Sequence, residues 1–166
     1  PQNRQFLAIW DRFRGPRHHV LGNHDMDGDQ TKGPDKKYNF TREETMAYWG
    51  MPARYYSFDL GGLHFVILDG NDPGPEQKPY YHYLGDEQLT WLERDLEATS
   101  LPTFLFCHQG LERSAGVANQ EVARRLLENA NHKAGGGKVI ACFSGHHHRD
   151  YIRPIRGILY AKINSM

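Results

Sequence analysis

The chain has 166 residues, 39% apolar and 24% charged, with 20 Lys and Arg against 20 Asp and Glu, an ordinary globular composition of one-domain length. A formal net charge of zero provides no general attraction to nucleic acid or an anionic membrane, so neither stable nucleic-acid binding nor a membrane partner is expected. The longest apolar stretches, such as Leu63 to Leu68 with His64 inside, fall far short of the roughly 18 residues of a membrane span.

Gln5 to Arg14 carries Phe6, Ile9, Trp10 and Phe13 at helical spacing and stops at Gly15-Pro16. His19-Val20-Leu21 predicts a short strand turning at Gly22, and the polar segment 25–37, with Gly28, Gly33 and Pro34, reads as a loop. Thr41 followed by Glu44 is a capping-box pattern for a helix ending near Gly50. Tyr55 to Leu60 and Leu63 to Leu68 flank Gly61-Gly62, which predicts a tight β-hairpin. Asn71 to Leu84 has no helical or strand period, and loops of that length in compact domains are usually functional or mobile. Asp86 is placed to cap a helix with Leu89, Leu92 and Leu96 on its apolar stripe and Trp91 beside it. A strand over Thr103 to Cys107, a helix over about Ala118 to Asn131, a glycine linker at Gly135 to Gly137 and a strand over Lys138 to Phe143 follow. The chain finishes with strand-like runs at Asp150 to Ile155 and Ile158 to Ile163, turning at Arg156-Gly157. This order predicts a layered α/β fold in a single domain, 1–166.

Cys107 and Cys142 sit in apolar runs and read as reduced core thiols. They are too few for a disulfide framework and form no CxxC pair, and they assign no compartment.

Ten histidines are an excess for this length. Three segments share one design, an apolar strand whose end is followed at once by Asn or His: Val20 to Asp25, Phe104 to Gly110, and Phe143 to His148. Ligands of α/β sheets bind beyond the carboxyl ends of the strands, so the three can converge on one crevice. Imidazole suits Zn, Fe, Mn and Ni, while an amide oxygen is a hard ligand favouring Mn, Fe or Mg. A mixed Asn/His shell points to a catalytic metal rather than a closed structural zinc with Cys ligands. If strand geometry continues, His146 and His148 project to one face and His147 to the other. His18, His19, His64, His82 and His132 read as satisfied structural side chains.

Gly22-Asn23-His24-Asp25, the strand-end His108 and Gly145-His146-His147-His148 resemble, in order, the GNH(D/E), strand-end H and GHxH motifs of the calcineurin-like metallophosphoesterases. Leu68 to Asp72 and Leu84 to Leu92 are similar to the hairpin end and "GxEQLxWL" helix of the branch containing ADP-ribose/CDP-alcohol diphosphatases and related phosphodiesterases. The resemblance implies an α/β/β/α sandwich and hydrolysis of a small phosphorylated or nucleotide-like substrate, whether phosphomonoester, phosphodiester or nucleotide-type pyrophosphate. It implies a binuclear centre of divalent ions, Mn or Fe first and Zn next, whose activated hydroxide attacks phosphorus. Asn23, His108 and His146 would ligate one metal and His148 the other; His24 would stabilise or protonate the leaving oxygen, with Asp25 orienting its ring. Asp27, Asp69 and Asp72 are candidate acceptors for the ligating imidazoles. Tyr81 and His82, in a run with Tyr80 and Tyr83, are candidate substrate contacts.

The family's DxH and GDxxD motifs, which supply the first metal's ligands and the bridging carboxylate, do not precede Gly22. The helical run Gln5 to Arg14 resembles the helix that normally follows GDxxD, so the N-terminal strands are expected to be missing and Pro1 to be a cut. The expectation is the C-terminal two-thirds of such a domain, binding at most one metal by itself. A missing N-terminal segment or a homodimer would complete the sheet. The alternative is a non-catalytic module that binds a partner chain or a single metal.

Overall fold

Thr41 caps the first long helix as a full capping box: its hydroxyl accepts from Glu44 N, and Glu44 Oε2 accepts from Thr41 N at 2.8 Å. This helix, α1 (Arg42–Trp49), ends at Gly50, whose φ of 64° is the left-handed conformation that stops a helix. The structure is a computed structural model that describes residues 6, 8–26, 40–75, 82–112 and 116–164. Strands β1 (Tyr56–Leu60) and β2 (Leu63–Leu68) form the hairpin, turning at Gly61 and Gly62 with φ of 61° and 79°. Then come α2 (Asp86–Ala98), β3 (Thr103–Cys107), α3 (Gln120–Lys133) and β4 (Val139–Ser144), followed by β5 (Tyr151–Ile155) and β6 (Ile158–Lys162).

The six strands form one sheet in the order β1-β2-β3-β4-β6-β5. β2, β3, β4 and β6 run parallel, and β1 and β5 are antiparallel edges. One face buries Val66, Leu68, Leu105, Cys107, Cys142 and Tyr160 against Leu89, Leu92 and Leu96 of α2 and Ala123 and Leu127 of α3. Both cysteines are free and buried, and burial pushes both thiols up, so they are inert core residues. The opposite face carries a band of half-buried aromatic rings. Phe58 stacks on Phe65 (5.1 Å), Phe65 on Phe104 (5.9 Å) and Phe106 on Phe143 (5.1 Å), and His18 stacks on Phe58 at 3.5 Å.

Mixed α/β architecture is therefore present. The described residues supply one sheet, with α2 and α3 packed on one of its faces.

Three local expectations change. His19 to Leu21 joins no strand ladder among the described residues; its backbone groups bond side chains instead. His19 N donates to Tyr56 Oη, which donates to His19 O, and Leu21 O accepts from Asn71 Nδ2. Of the helix expected over Gln5 to Arg14, the described residues 6 and 8–10 are helical and the helix ends at Trp10, with Arg12 N donating to Ile9 O and Phe13 N to Trp10 O beyond it. Its apolar stripe finds little cover, with Ile9 and Phe13 more than half exposed, so packing does not extend it. Asp86 is the first helical residue of α2 rather than its cap, a position taken by Gly85, where the acidic side chain still favours the positive end of the helix. Most of the loop expected at 25–37 lies outside the described residues, as does Tyr81.

Candidate metal site

Two of the three segments deliver their histidine just beyond the end of a strand, β3 or β4, and the first delivers Asn23 from a turn. Gly22 and Asn23 open a tight turn in which Asp25 N donates to Gly22 O and Asp25 Oδ2 accepts from Gly22 N at 2.8 Å. A Cβ at Gly22 would stand 3.3 Å from both Asp25 Oδ2 and the His108 ring, so glycine lets this turn lie on the imidazole. His108 follows the last residue of β3, and its carbonyl accepts from Gly145 N at 3.0 Å, which joins the ends of β3 and β4.

The result is a compact trio. Asn23 Oδ1 lies 3.1 Å from His108 Nε2 and 3.1 Å from His146 Nδ1, and the two nitrogens are 3.3 Å apart. Donors about 2.0–2.1 Å from one cation are about 2.8–3.4 Å apart at octahedral to tetrahedral angles, so this triangle fits one face of a coordination shell. Burial and then the neighbouring imidazoles lower the pKa of His108 and of His146 to about 4. Both rings are neutral at pH 7, with lone pairs available to a metal.

Backbone alternation does not place the GHHH histidines. β4 ends at Ser144, and His146 and His148 have φ of 68° and 50°, so the extended geometry that would put them on one face is lost. His146 reaches the trio through this left-handed turn, helped by His147 N donating to Gly145 O. His148 is exposed, and like His24 its charge acts on His108. His147, expected on the opposite face, packs edge-on against His146 at 4.8 Å. His82 lies edge-on to His146 at 4.6 Å, so the structure brings it to the site from a distant loop.

The other histidines have structural surroundings. His64 is buried between Asp59 (2.6 Å) and Asp95 (2.8 Å), and His19 packs near Trp10 and Trp49. Among the described hydrogen bonds, none joins Asp69 or Asp72 to the candidate ligands His108 and His146. Asp69 and Asp72 bind Arg54, with Asp72 Oδ1 at 2.6 Å, and Arg42. These carboxylates raise the Arg54 pKa against the opposing effect of burial. Asp27 lies outside the described residues.

Spacing did not reveal the buried polar groups behind the trio. Gln109 Nε2 donates to Asn71 Oδ1 at 2.6 Å, and Gln88 exchanges two bonds with the backbone of Asp69. Lys162 and Glu112 pair at 3.1 Å with almost no exposure. Asn71 and Gln109 stand inside motif segments, yet their partners are 38 residues apart. No group of three His, Cys, Asp or Glu side chains among the described residues could hold a metal ion; the Asn23 amide is what completes a three-donor set.

No curated protein matches the chain. Among solved structures, a dimetal phosphatase from Danio rerio superposes with a TM-score of 0.68 at 18% identity, over 97% of this chain and 64% of that one. GAP50, described as the anchor in the inner membrane complex of Plasmodium, aligns with a TM-score of 0.48 at 17% identity, over 69% of this chain and 38% of that one. The chain thus spans about two-thirds or less of the length of the structures it matches. The first likeness shows a shared fold, and the model of the calcineurin-like phosphoesterases matches residues 1–150. By that match across most of its length, the chain belongs to the calcineurin-like phosphoesterase family.

Proposed function

We propose that the protein hydrolyses a phosphate ester with the help of divalent cations. The observation that carries this reading is the Asn23–His108–His146 triangle with its edges of 3.1 to 3.3 Å. Asn23, His108 and His146 would hold one cation, and His148 would contribute to a second. Mn or Fe is the proposed metal, with Zn next, because the donor set mixes a hard amide oxygen with imidazole. Such cations, when bound, neutralise phosphate charge and lower the pKa of water.

The chain's own residues set the rest. Two imidazoles held neutral each keep one ring nitrogen with a lone pair that a cation can take. His24, exposed beside buried Asn23, is proposed to stabilise or protonate the leaving oxygen, and Asp25 to orient it while holding the turn through Gly22 N. His82 against His146 supports a substrate-facing role for that loop, with Tyr81 as its neighbour in sequence. The substrate class is a small phosphomonoester, phosphodiester or nucleotide-type pyrophosphate.

The test is Mn-stimulated hydrolysis of a chromogenic phosphodiester and phosphomonoester by the protein and its His146→Ala variant. A loss of at least about 100-fold is expected, in line with the removal of a ligand or its support; full activity in the variant overturns the assignment.

The aromatic sheet face favours a second reading, a non-catalytic module that takes a partner chain or another copy of itself on that face. Parallel strands are normally covered on both sides. Metal content measured together with sedimentation separates the readings. Metal with turnover supports the enzyme, and a metal-free stable dimer supports the module.

A further inference from the structure

We infer that Asn71 is a positioning residue for the candidate ligands, joining the turn that carries Asn23 to the loop that carries His108. The inference rests on the metal-binding reading above. Asn71 is 2% exposed and lies just beyond the end of β2, outside the donor triangle. Its Nδ2 donates to Leu21 O at 3.1 Å, two residues before Asn23, and to Asp69 Oδ1 at 2.7 Å. Its Oδ1 accepts from Nε2 of Gln109, the residue after His108. One primary amide thus holds both ligand-bearing segments, and no ladder hydrogen bond holds the first of them.

The anchoring of that amide is unusually complete. Asn71 N also donates to Asp69 Oδ1, and Asn71 O accepts from Arg42 at 2.6 Å. Asp69, fully buried, is fixed in turn by Gln88 and by both arginines. Only an amide of this length donates to Leu21 and Asp69 while accepting from Gln109. Asp at the position keeps the acceptor but loses both donors and sets a carboxylate against Asp69 Oδ1. Leu21 and Gln109 are buried at 1% and 0%, so water does not readily replace the lost bonds. Release of either segment moves Asn23 relative to His108, and a shell with donors 3.1 Å apart tolerates little movement.

Titration with Co(II), followed by its visible absorption and by thermal unfolding, tests this. In Asn71→Ala, Asn71→Asp and Gln109→Met the Co(II) dissociation constant is expected to rise about 10- to 100-fold with an altered spectrum. The double variant Asn71→Ala/Gln109→Met should bind Co(II) no more weakly than Asn71→Ala alone, because that variant already breaks the tie to Gln109. Asn131→Ala serves as control. It removes two buried bonds to Val139 at the start of β4, the end away from His146, and should lower the melting temperature without changing Co(II) affinity. If the Asn71 and Gln109 variants melt lower but bind Co(II) as the unaltered protein does, with the same spectrum, Asn71 is merely structural and the inference fails. Should Asn71→Ala not fold, Gln109→Met reads the same tie. An unaltered protein that binds no Co(II) overturns the metal reading and this inference together, whereas equal binding by protein and variants overturns only the inference.

Discussion

Lys162 and Glu112 bring opposite charges together in a fully buried pair beside the candidate site, with Tyr151 donating to the same carboxylate and its ring under the ammonium. Glu112 lies four residues after His108, and Lys162 is in register with Ser144, two residues before His146. Burying two charges is unfavourable unless they stay together, so removing one partner costs more than removing both. Lys162→Met is expected to destabilise the protein by about 3–5 kcal/mol in urea unfolding, and Lys162→Met/Glu112→Leu to recover much of that. Gly110 is tied to this pair, since a Cβ there would come within 3.0 Å of atoms of both Glu112 and Lys162. Neither residue stands out in the sequence, where a lysine and a glutamate fifty positions apart look like surface charges. A second expectation concerns Gly22. The Cβ of Gly22→Ala would press on His108 and Asp25 Oδ2, so hydrolysis should fall with little change in melting temperature, as read by kcat and circular dichroism.

Elements are clamped together by polar contacts as well as by the apolar core. His64 of β2 bridges Asp59 of β1 and Asp95 of α2, and Ser57 donates to the same Asp95 at 2.6 Å. Burial works to lower the His64 pKa, but its two carboxylate partners outweigh it and the net shift is upward. A raised folded pKa stabilises the protein fully below the unfolded value of about 6.5, and that contribution is lost as pH rises through the folded value. The difference in unfolding free energy between the protein and His64→Gln should therefore be largest near pH 6 and shrink as the pH is raised past the folded value. A difference that grew with pH would contradict the clamp. At α1 the reciprocal cap is the local determinant of the helix start, and Thr41→Ala should cost about 1 kcal/mol in the same measurement.

Across the whole molecule, the two faces of the sheet differ. One is sealed by α2 and α3, and the other presents Phe58, Phe65, Phe104, Phe106 and Phe143 half-buried by one another. An apolar patch of this kind drives association. The 166-residue chain is expected to self-associate through it, and Phe65→Lys/Phe143→Lys to shift sedimentation toward the monomer; an unchanged profile would move the contact elsewhere.

Periodicity and turn chemistry made much of the fold legible. The Gly61-Gly62 hairpin, the Thr41 box, the Leu89-Leu92-Leu96 stripe and the closing β5–β6 turn depend on neighbours a few residues away, and local backbone and burial preferences determine them. Motif order likewise singled out Asn23, His108 and His146, which the structure brings within 3.1 to 3.3 Å of one another, the two histidines from beyond strand ends and Asn23 from a turn. Spacing by itself was insufficient for His146 and His148, where alternation fails once φ becomes positive. It was silent on the Asn71–Gln109 tie and the Lys162–Glu112 pair. Those contacts join residues 38 and 50 positions apart, and a side chain's charge or amide acquires its role only when burial removes water as the alternative partner. What the residues themselves determined was the set of candidate donors and most of the elements around them; the distances between Asn23, His108 and His146, and the buried groups behind them, were decided by packing in three dimensions.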